Sequence, residues 1–151
     1  MVRKLKVYKG DMAVASQEGE GKTSVTLSNL NADTNYPKGT YKVAWEENGK
    51  ESEKVDVPEF KTKPILVTSV VFEPSTKQIL VNADDEVQPN VSPSTATNKD
   101  VTFESNAPDY VTVDKDTGAI HGVAEGSAVI TATAKDGSGK TGQITVQVTQ
   151  D

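Results

Sequence analysis

The chain has 151 residues, a net charge of −6, 11 glycines, 7 prolines and no cysteine. This length accommodates one ordinary domain or two small ones, and the lack of cysteine excludes disulfides, thiolate metal sites and cysteine nucleophiles. The negative net charge argues against a nucleic-acid partner. No apolar run approaches the roughly 18 residues that a membrane-spanning helix needs, so no membrane partner is expected.

The charges divide the chain into two unlike halves. Residues 1–63 hold 11 Lys and Arg against 10 Asp and Glu, a net of +1, whereas residues 64–151 hold 5 against 12, a net of −7. The change falls at segment 59–64, where Pro64 favours an extended conformation in the residue before it. We therefore predict two domains, 1–63 and 64–151. Apolar alternation with period two recurs between turn residues throughout, which predicts an all-β chain.

The first half is predicted to form a small antiparallel β module. Its clearest element is a hairpin over residues 40–57, in which Tyr41, Val43 and Trp45 alternate with other residues. Asn48-Gly49 at its centre is typical of a type I′ turn, because both central residues of that turn need positive φ. Earlier strands are predicted over residues 5–8, 12–14 and 24–27.

Two sets of side chains in this half are candidate contact residues. Four basic residues open the chain with no acid among them: Arg3, Lys4, Lys6 and Lys9. They fit either an edge strand protected by lysines or a docking segment for an acidic surface. Three aromatic residues fit either a half-buried core or an exposed binding platform: Tyr8, Tyr41 and Trp45.

Residues 30–36, Leu-Asn-Ala-Asp-Thr-Asn-Tyr, resemble the E–F corner of fibronectin type III modules. In those modules a Leu and then Thr-x-Tyr precede strand F. The resemblance continues to Val55, and it implies that the Tyr36 hydroxyl caps nearby backbone. Because 63 residues make a marginal unit alone, we expect this reduced module to pack on the second domain or on a partner.

The second half shows period-two apolar sets along several segments: Val101/Phe103, Val111/Val113, Ile130/Ala132/Ala134 and Ile144/Val146/Val148. Asp116-Thr117-Gly118 and Asp136-Gly137 supply turn residues between them. This pattern predicts a seven-stranded β-sandwich. Its predicted core contains Phe103, Val113, Ile130, Ile144 and Val146. Pro89 falls within the predicted second strand, where only an edge or a bulge tolerates proline.

Residues 65–149 also resemble, in register, the group 2 bacterial Ig-like domains. Val67–Pro74 is similar to the opening strand of that family, and Val101–Ser105 stands where the family usually has Val-Thr-Trp-x-Ser. Val111–Asp114 with Gly118–Ile120 matches its central hairpin. The segments Val123–Ala128, Ile130–Ala134 and Ile144–Val148 complete the match. The resemblance implies an Ig-like sandwich.

The residues that carry chemistry in other proteins lack the required context here. His121 is the one histidine, alternation places it on the outside of its strand, and no Gly-x-Ser-x-Gly elbow exists. Asp114–Gly118 resembles the start of a calcium loop, but Ala119 occupies the sixth position, where such a loop needs Gly. A β-turn is therefore predicted there. Asp84-Asp85-Glu86 is a candidate cation cluster, although an exposed acidic loop needs no metal. We predict no catalytic, cofactor or metal site.

The resemblance supplies a functional context. Group 2 bacterial Ig-like domains occur as stalk repeats of surface adhesins and as accessory domains on virion proteins of tailed phages. With one such domain, a start at Met1 and no Sec signal after its basic opening, the chain resembles small Ig-domain virion proteins of tailed phages of Gram-positive hosts.

This resemblance implies a non-enzymatic accessory protein located on a phage or prophage virion, where it decorates the head or tail and adheres weakly to the host surface. The implied partners are a capsid or tail protein and host-surface glycans. The alternative is a fragment of an adhesin, or a carbohydrate-binding protein, at the bacterial cell surface.

Overall fold

The computed structural model describes residues 3–19, 21 and 23–150, and these ranges contain strands but no helix. The predicted all-β class is therefore confirmed. The chain divides into two compact units, Met1–Lys63 and Pro64–Asp151, called here the N-terminal and C-terminal units. Within the described ranges, no helix has the length and hydropathy needed to cross a bilayer.

The N-terminal unit contains one main antiparallel sheet and a small second one. The main sheet contains five strands: β1 (Arg3–Lys9), β2 (Met12–Glu18), β4 (Tyr41–Glu47), β5 (Lys50–Glu51) and β6 (Val55–Asp56). Its order is β2-β1-β4-β5, and β6 also pairs with β4. The second sheet pairs β3 (Asn35–Tyr36) with β7 (Phe60–Lys61). Asn48 and Gly49 have φ values of 53° and 75°, as the predicted type I′ turn requires.

The strands predicted over 5–8, 12–14 and the hairpin are confirmed, but the strand predicted over 24–27 is wrong. Residues 24–27 belong to no sheet. Val25 and Leu27 are half-buried against the cluster of Val7, Tyr36 and Tyr41. The alternation of apolar and polar residues in this segment therefore reflects which side chains face the core, although its backbone pairs with none of the strands that the structure describes.

Tyr36 anchors the core of the N-terminal unit. Its hydroxyl accepts a hydrogen bond of 3.0 Å from the backbone N–H of Asn31, which confirms the cap that the fibronectin type III resemblance implies. Its ring stacks on Phe60 at a centroid distance of 5.1 Å and lies 5.7 Å from Tyr41. Thr62 Oγ1 accepts a 2.9 Å hydrogen bond from the Thr34 N–H, so this corner is also fixed to the end of the unit.

The C-terminal unit has two layers. One layer is a four-stranded sheet of order β12-β15-β16-β9, made of β9 (Thr76–Leu80), β12 (Val101–Ser105), β15 (Gly126–Ala134) and β16 (Thr141–Thr149). The other contains five short strands, β8 (Ser69–Val71), β10 (Asp84–Glu86), β11 (Asn90–Ser92), β13 (Val111–Val113) and β14 (Ala119–Gly122). They form a three-stranded sheet of order β10-β14-β13 and a two-stranded sheet of β11 and β8.

These nine segments form the seven strands of the predicted sandwich. β8 and β9 belong to one strand that changes sheet between residues 72 and 75. β10 and β11 belong to another, interrupted at residues 87–89. Pro89 lies in that interruption, where no ladder hydrogen bond is required of it.

The core between the layers is apolar. Of the five residues predicted to be buried, Phe103, Ile130, Ile144 and Val146 are at most 5% exposed, whereas Val113 is only half-buried at the edge. Gly118 fits under Phe103 in the β13–β14 turn with φ of 77°. A Cβ there would lie 2.4 Å from the Val87 carbonyl oxygen and 2.8 Å from Phe103 Cζ, so this turn requires glycine.

Replacing Phe103 with alanine should lower the free energy of unfolding of the C-terminal unit by about 3–5 kcal/mol, because the cavity cannot refill completely. Urea denaturation followed by amide NMR signals of this unit measures the loss. Thr112→Ala, at an exposed position, is the control and should change stability by less than about 0.5 kcal/mol. A loss below about 1 kcal/mol for Phe103→Ala would contradict the assigned core.

Replacing Tyr36 with phenylalanine keeps the ring stack but removes the acceptor for the Asn31 N–H. We expect the N-terminal unit to lose about 1 kcal/mol, the usual net contribution of such a bond. Trp45, the one tryptophan of the chain, reports this unfolding by fluorescence. Tyr110→Phe, in the other unit, should leave the Trp45 transition unmoved; an unmoved transition for Tyr36→Phe itself would show that the cap adds nothing.

Candidate functional site

The predicted docking residues lie on the sheet of the N-terminal unit, within a set of cross-strand ion pairs. Lys4 is opposite Glu18 of β2 and Glu46 of β4, and Lys6 is opposite Ala44. Residues directly opposite in a ladder project from the same face. The face that carries Lys4, Lys6, Tyr8, Glu46 and Glu51 is called here the charged face.

Lys6 is the centre of the charged face. Its ammonium group forms ion pairs with Glu46 and, at 2.8 Å, with Glu51. Hydrogen bonds to Glu46 first and to Glu51 second hold the pKa of Lys6 above its usual range. The Tyr8 hydroxyl donates to Glu51 as well, and the bonds from Lys6 and Tyr8 lower the pKa of the Glu51 carboxyl. This network keeps Lys6 charged and Glu51 ionised.

Two further basic residues of the opening strand are paired. Lys4 Nζ lies 2.5 Å from Glu18 Oε1, and the hydrogen bond from Lys4 lowers the pKa of Glu18. Arg3 Nε lies 3.4 Å from Glu47 Oε1. Lys9 is exposed, with its Nζ 6.0 Å from the centroid of the Tyr41 ring. The strand is basic in sequence, but carboxylates of neighbouring strands balance much of its charge.

The structure corrects two of the three aromatic contact candidates. Tyr8 and Tyr41 are only 6% and 5% exposed, so neither ring is available to a ligand. Lys54 covers Tyr8, with its Nζ 4.1 Å from the ring centroid. Tyr41 packs on the opposite face of the sheet, where its ring centroid lies 6.1 Å from that of Phe60. Trp45 is 37% exposed, beside a shallow depression lined by Glu47, Asn48, Lys50 and Ser52.

The acidic segment Asp84–Glu86 of the C-terminal unit is divided between different partners. Asp84 Oδ1 lies 2.7 Å from His121 Nδ1 on the open face of β10 and β14, which places His121 outward as predicted. Lys77 Nζ lies 2.8 Å from Asp85 Oδ2 and lowers the pKa of that carboxyl. Among the described residues, no group of three or more His, Asp or Glu side chains is arranged to hold a metal ion.

Asp114–Gly118 forms the predicted turn. Asp114 Oδ1 accepts hydrogen bonds from the Thr117 hydroxyl at 2.8 Å, the Thr117 N–H at 2.8 Å and the Asp116 N–H at 3.0 Å. These bonds, with the Thr117 hydroxyl first, lower the pKa of Asp114. The carboxylate that suggested a calcium ligand therefore closes the β13–β14 connection.

Comparison with known proteins identifies a family for the C-terminal unit. Residues 66–146, more than half of the chain, match the family model of the bacterial Ig-like domain (group 2). An "Ig-like virion protein" of Serratia phage KSP90 is 39% identical over 74 residues, 49% of this chain. An uncharacterized protein of Clostridium acetobutylicum is 33% identical over 86 residues, 57% of this chain. The chain covers only 29% and 9% of the lengths of these two relatives.

Solved structures with similar folds share little sequence with this chain. Drosophila N-cadherin EC1-4 superposes with a TM-score of 0.61 at 16% identity, over 99% of this chain and 41% of the cadherin. Domains 4 and 5 of the S-layer protein SbsC give 0.50 at 14% identity, over 95% and 96% of the two chains. At these identities the likeness shows the fold alone.

The low pKa of Asp114 predicts acid sensitivity with a defined sign. Its ionised form is stabilised by folding, so its contribution is present above the ordinary carboxyl pKa of about 4 and is lost as pH falls below it. Asp114→Asn should destabilise the C-terminal unit at neutral pH and reduce the fall in melting temperature between about pH 5 and pH 2. Parallel melting curves for variant and parent across this range would contradict the assignment.

Proposed function

The chain belongs to the bacterial Ig-like domain (group 2) family, and from that membership we propose that it is a non-enzymatic accessory protein of a phage or prophage virion. The observation that carries the proposal is its 39% identity to the Ig-like virion protein of Serratia phage KSP90. In this proposal the protein decorates the head or tail and displays its Ig-like unit toward the host surface, where it adheres weakly.

The surroundings of the polar residues support a binding role over catalysis. His121 and Asp84 pair on an open sheet face, with side chains 42% and 85% exposed, instead of in a cleft that could exclude water from a reaction. Asp114 is committed to a turn, and Asp85 to Lys77. A sandwich of this kind acts through the surface that it presents.

We assign docking on the particle to the N-terminal unit, which is the smaller unit and gains most from a partner. Its edge strand β2 pairs only with β1 among the described strands and exposes Met12 and Val14 by 74% and 46%. Arg3, Lys4 and Lys6 are already paired within the unit, so their contribution to docking is smaller than the sequence suggests. Apolar and backbone contacts at β2 carry the larger part.

The alternative function is that of a bacterial cell-surface protein. The relative in Clostridium acetobutylicum favours it, because the matched segment there belongs to a bacterial chain of far greater length. The two proposals place the protein in different fractions of the same culture.

The proposal predicts that the protein co-purifies with phage particles. Particles produced from the source strain, banded in a density gradient and digested for mass spectrometry, should contain this chain in constant ratio to the capsid protein. Immunogold labelling then assigns it to head or tail. Recovery in the cell-envelope fraction with none in the particle band would support the surface-protein alternative instead.

A salt wash of the same particles tests the docking assignment. Exposed charges are screened beyond about 8 Å at physiological ionic strength and more strongly above it. Because Arg3, Lys4 and Lys6 are paired internally, the protein should stay bound at raised salt. Val14→Lys, which places a charge on the β2 edge, should release it, whereas Val123→Lys, at an exposed position of the other unit, should not. The converse pattern would refute docking through β2.

A further inference from the structure

The outer surface of the β12-β15-β16-β9 sheet carries almost no charge. The ladders place Thr145 opposite Thr76, Gln147 opposite Gln78 and Thr131 opposite Gln143, all on the face turned away from the core. These six residues define what is called here the neutral face. The other outward positions of the four strands are Thr, Ser or apolar, apart from Glu104 on the edge strand β12.

This neutrality contrasts with the rest of the unit. Residues 64–151 carry a net charge of −7, from 5 basic and 12 acidic residues. The outer face of the opposite layer holds Asp84, Glu86 and His121 on β10 and β14. Most acidic residues of the described part of this unit thus lie on the other layer and in the turns, and Glu104 is the one acidic residue on the outward face of the β12-β15-β16-β9 sheet.

The side chains of the neutral face have one chemical property in common. Hydroxyl and primary amide groups each donate and accept hydrogen bonds. The amide of Gln143 donates to Thr131 Oγ1 at 3.2 Å, and the Gln78 amide donates to Gln147 Oε1 at 3.4 Å. These long bonds link neighbouring strands, while the exposed Thr76, Gln143, Thr145 and Gln147 direct their remaining donors and acceptors to solvent.

The charge distribution selects the class of ligand. An anionic polymer is repelled by a unit of net charge −7, and a cationic group is drawn to the layer that holds Asp84 and Glu86. A neutral polyhydroxylated polymer is neither repelled by the unit nor drawn to its acidic layer. Its hydroxyl groups both donate and accept hydrogen bonds, as the side chains of the neutral face do. An open sheet face with strands about 4.8 Å apart also suits an extended chain better than a compact small molecule.

We propose that the neutral face binds an uncharged polysaccharide, centred on the shallow depression lined by Thr76, Gln78, Thr145 and Gln147. Lys77 also lines this depression, but its ammonium group is paired with Asp85 at 2.8 Å. That this polysaccharide belongs to the host-cell surface rests on the proposed virion function. Open hydrogen-bonding contacts of this kind are individually weak, because each replaces a hydrogen bond to water. Many copies on one particle convert such contacts into firm attachment through multivalency.

The full-length protein, labelled with 15N, tests the proposal by NMR titration. The probes are the uncharged tetrasaccharides of glucose, mannose and N-acetylglucosamine, with anionic polygalacturonate as the charged comparison. At least one neutral sugar should shift amide signals of β9, β15 and β16 at millimolar concentration, and polygalacturonate should not. No shift with any neutral sugar, equal shifts with polygalacturonate, or shifts confined to β10 and β14 would overturn the proposal.

Matched variants separate the neutral face from the rest of the unit. Thr145→Glu places a charge at its centre and should weaken sugar binding at least about tenfold. Thr112→Glu makes the same change at an exposed threonine on the other layer and should leave binding intact. Equal effects of the two variants would refute the assignment to this face.

Two further readouts complete the test. Unchanged melting temperatures confirm that both variants remain folded, as surface substitutions usually do. Shifts on the neutral face that grow with protein concentration in the absence of sugar would show that its occupant is a second copy of the chain, and would also refute the proposal. Because these titrations use purified protein, sugar binding stands or falls independently of whether the protein is found on virions.

Discussion

Strict alternation along the β15–β16 hairpin is the constraint on which the rest of the C-terminal unit depends. Ile130, Ile144 and Val146 point into the core with at most 5% exposure, and Thr131 and Thr145 point outward from the same two strands. β12 and β9 pair on either side of this hairpin, so they inherit its register. A slip of one residue would exchange the apolar and polar faces of the whole layer. The core and the neutral face are thus two consequences of one pattern.

The N-terminal unit solves a different problem, because its sheet is small and only one face is covered by apolar residues. Tyr36 and Phe60 cover the core face, together with half-buried Val25 and Leu27. The other face is covered by the network around Lys6 and by Lys54 lying over Tyr8. Long basic side chains bury their aliphatic stems while their charged ends remain hydrated. Ion pairs of this exposed kind stabilise a protein only modestly, so they favour one register and contribute little to overall stability.

Features encoded by local sequence patterns could be predicted, whereas features that depend on residues distant in the sequence could not. The hairpin at Asn48-Gly49, the turn at Asp114 and the core position of Phe103 are each encoded within a few residues. Residues 24–27 alternate between apolar and polar side chains as a strand does, but a strand also needs a neighbouring strand to pair with, and no described strand pairs with this segment. The sequence left open whether Tyr8 is buried or exposed, because Lys54, which covers it, lies 46 positions away. The neutral face could have been recognised from the outward Thr and Gln positions of β16, since alternation alone identifies them.

The distribution of charge links the fold to its proposed use. In the sheet of the N-terminal unit, opposite charges are paired across strands, so little net field remains and close contact with another surface costs little electrostatic energy. The C-terminal unit instead carries a net charge of −7, and such a charge repels other copies of the chain and anionic surfaces. A surface that is acidic throughout would be hydrated too strongly to form close contacts with an uncharged polymer. Because the acidic residues lie mainly on one layer and in the turns, with Glu104 at the edge of the other sheet, the repulsion between copies is preserved and most of that sheet face stays free for uncharged hydrogen-bonding contacts.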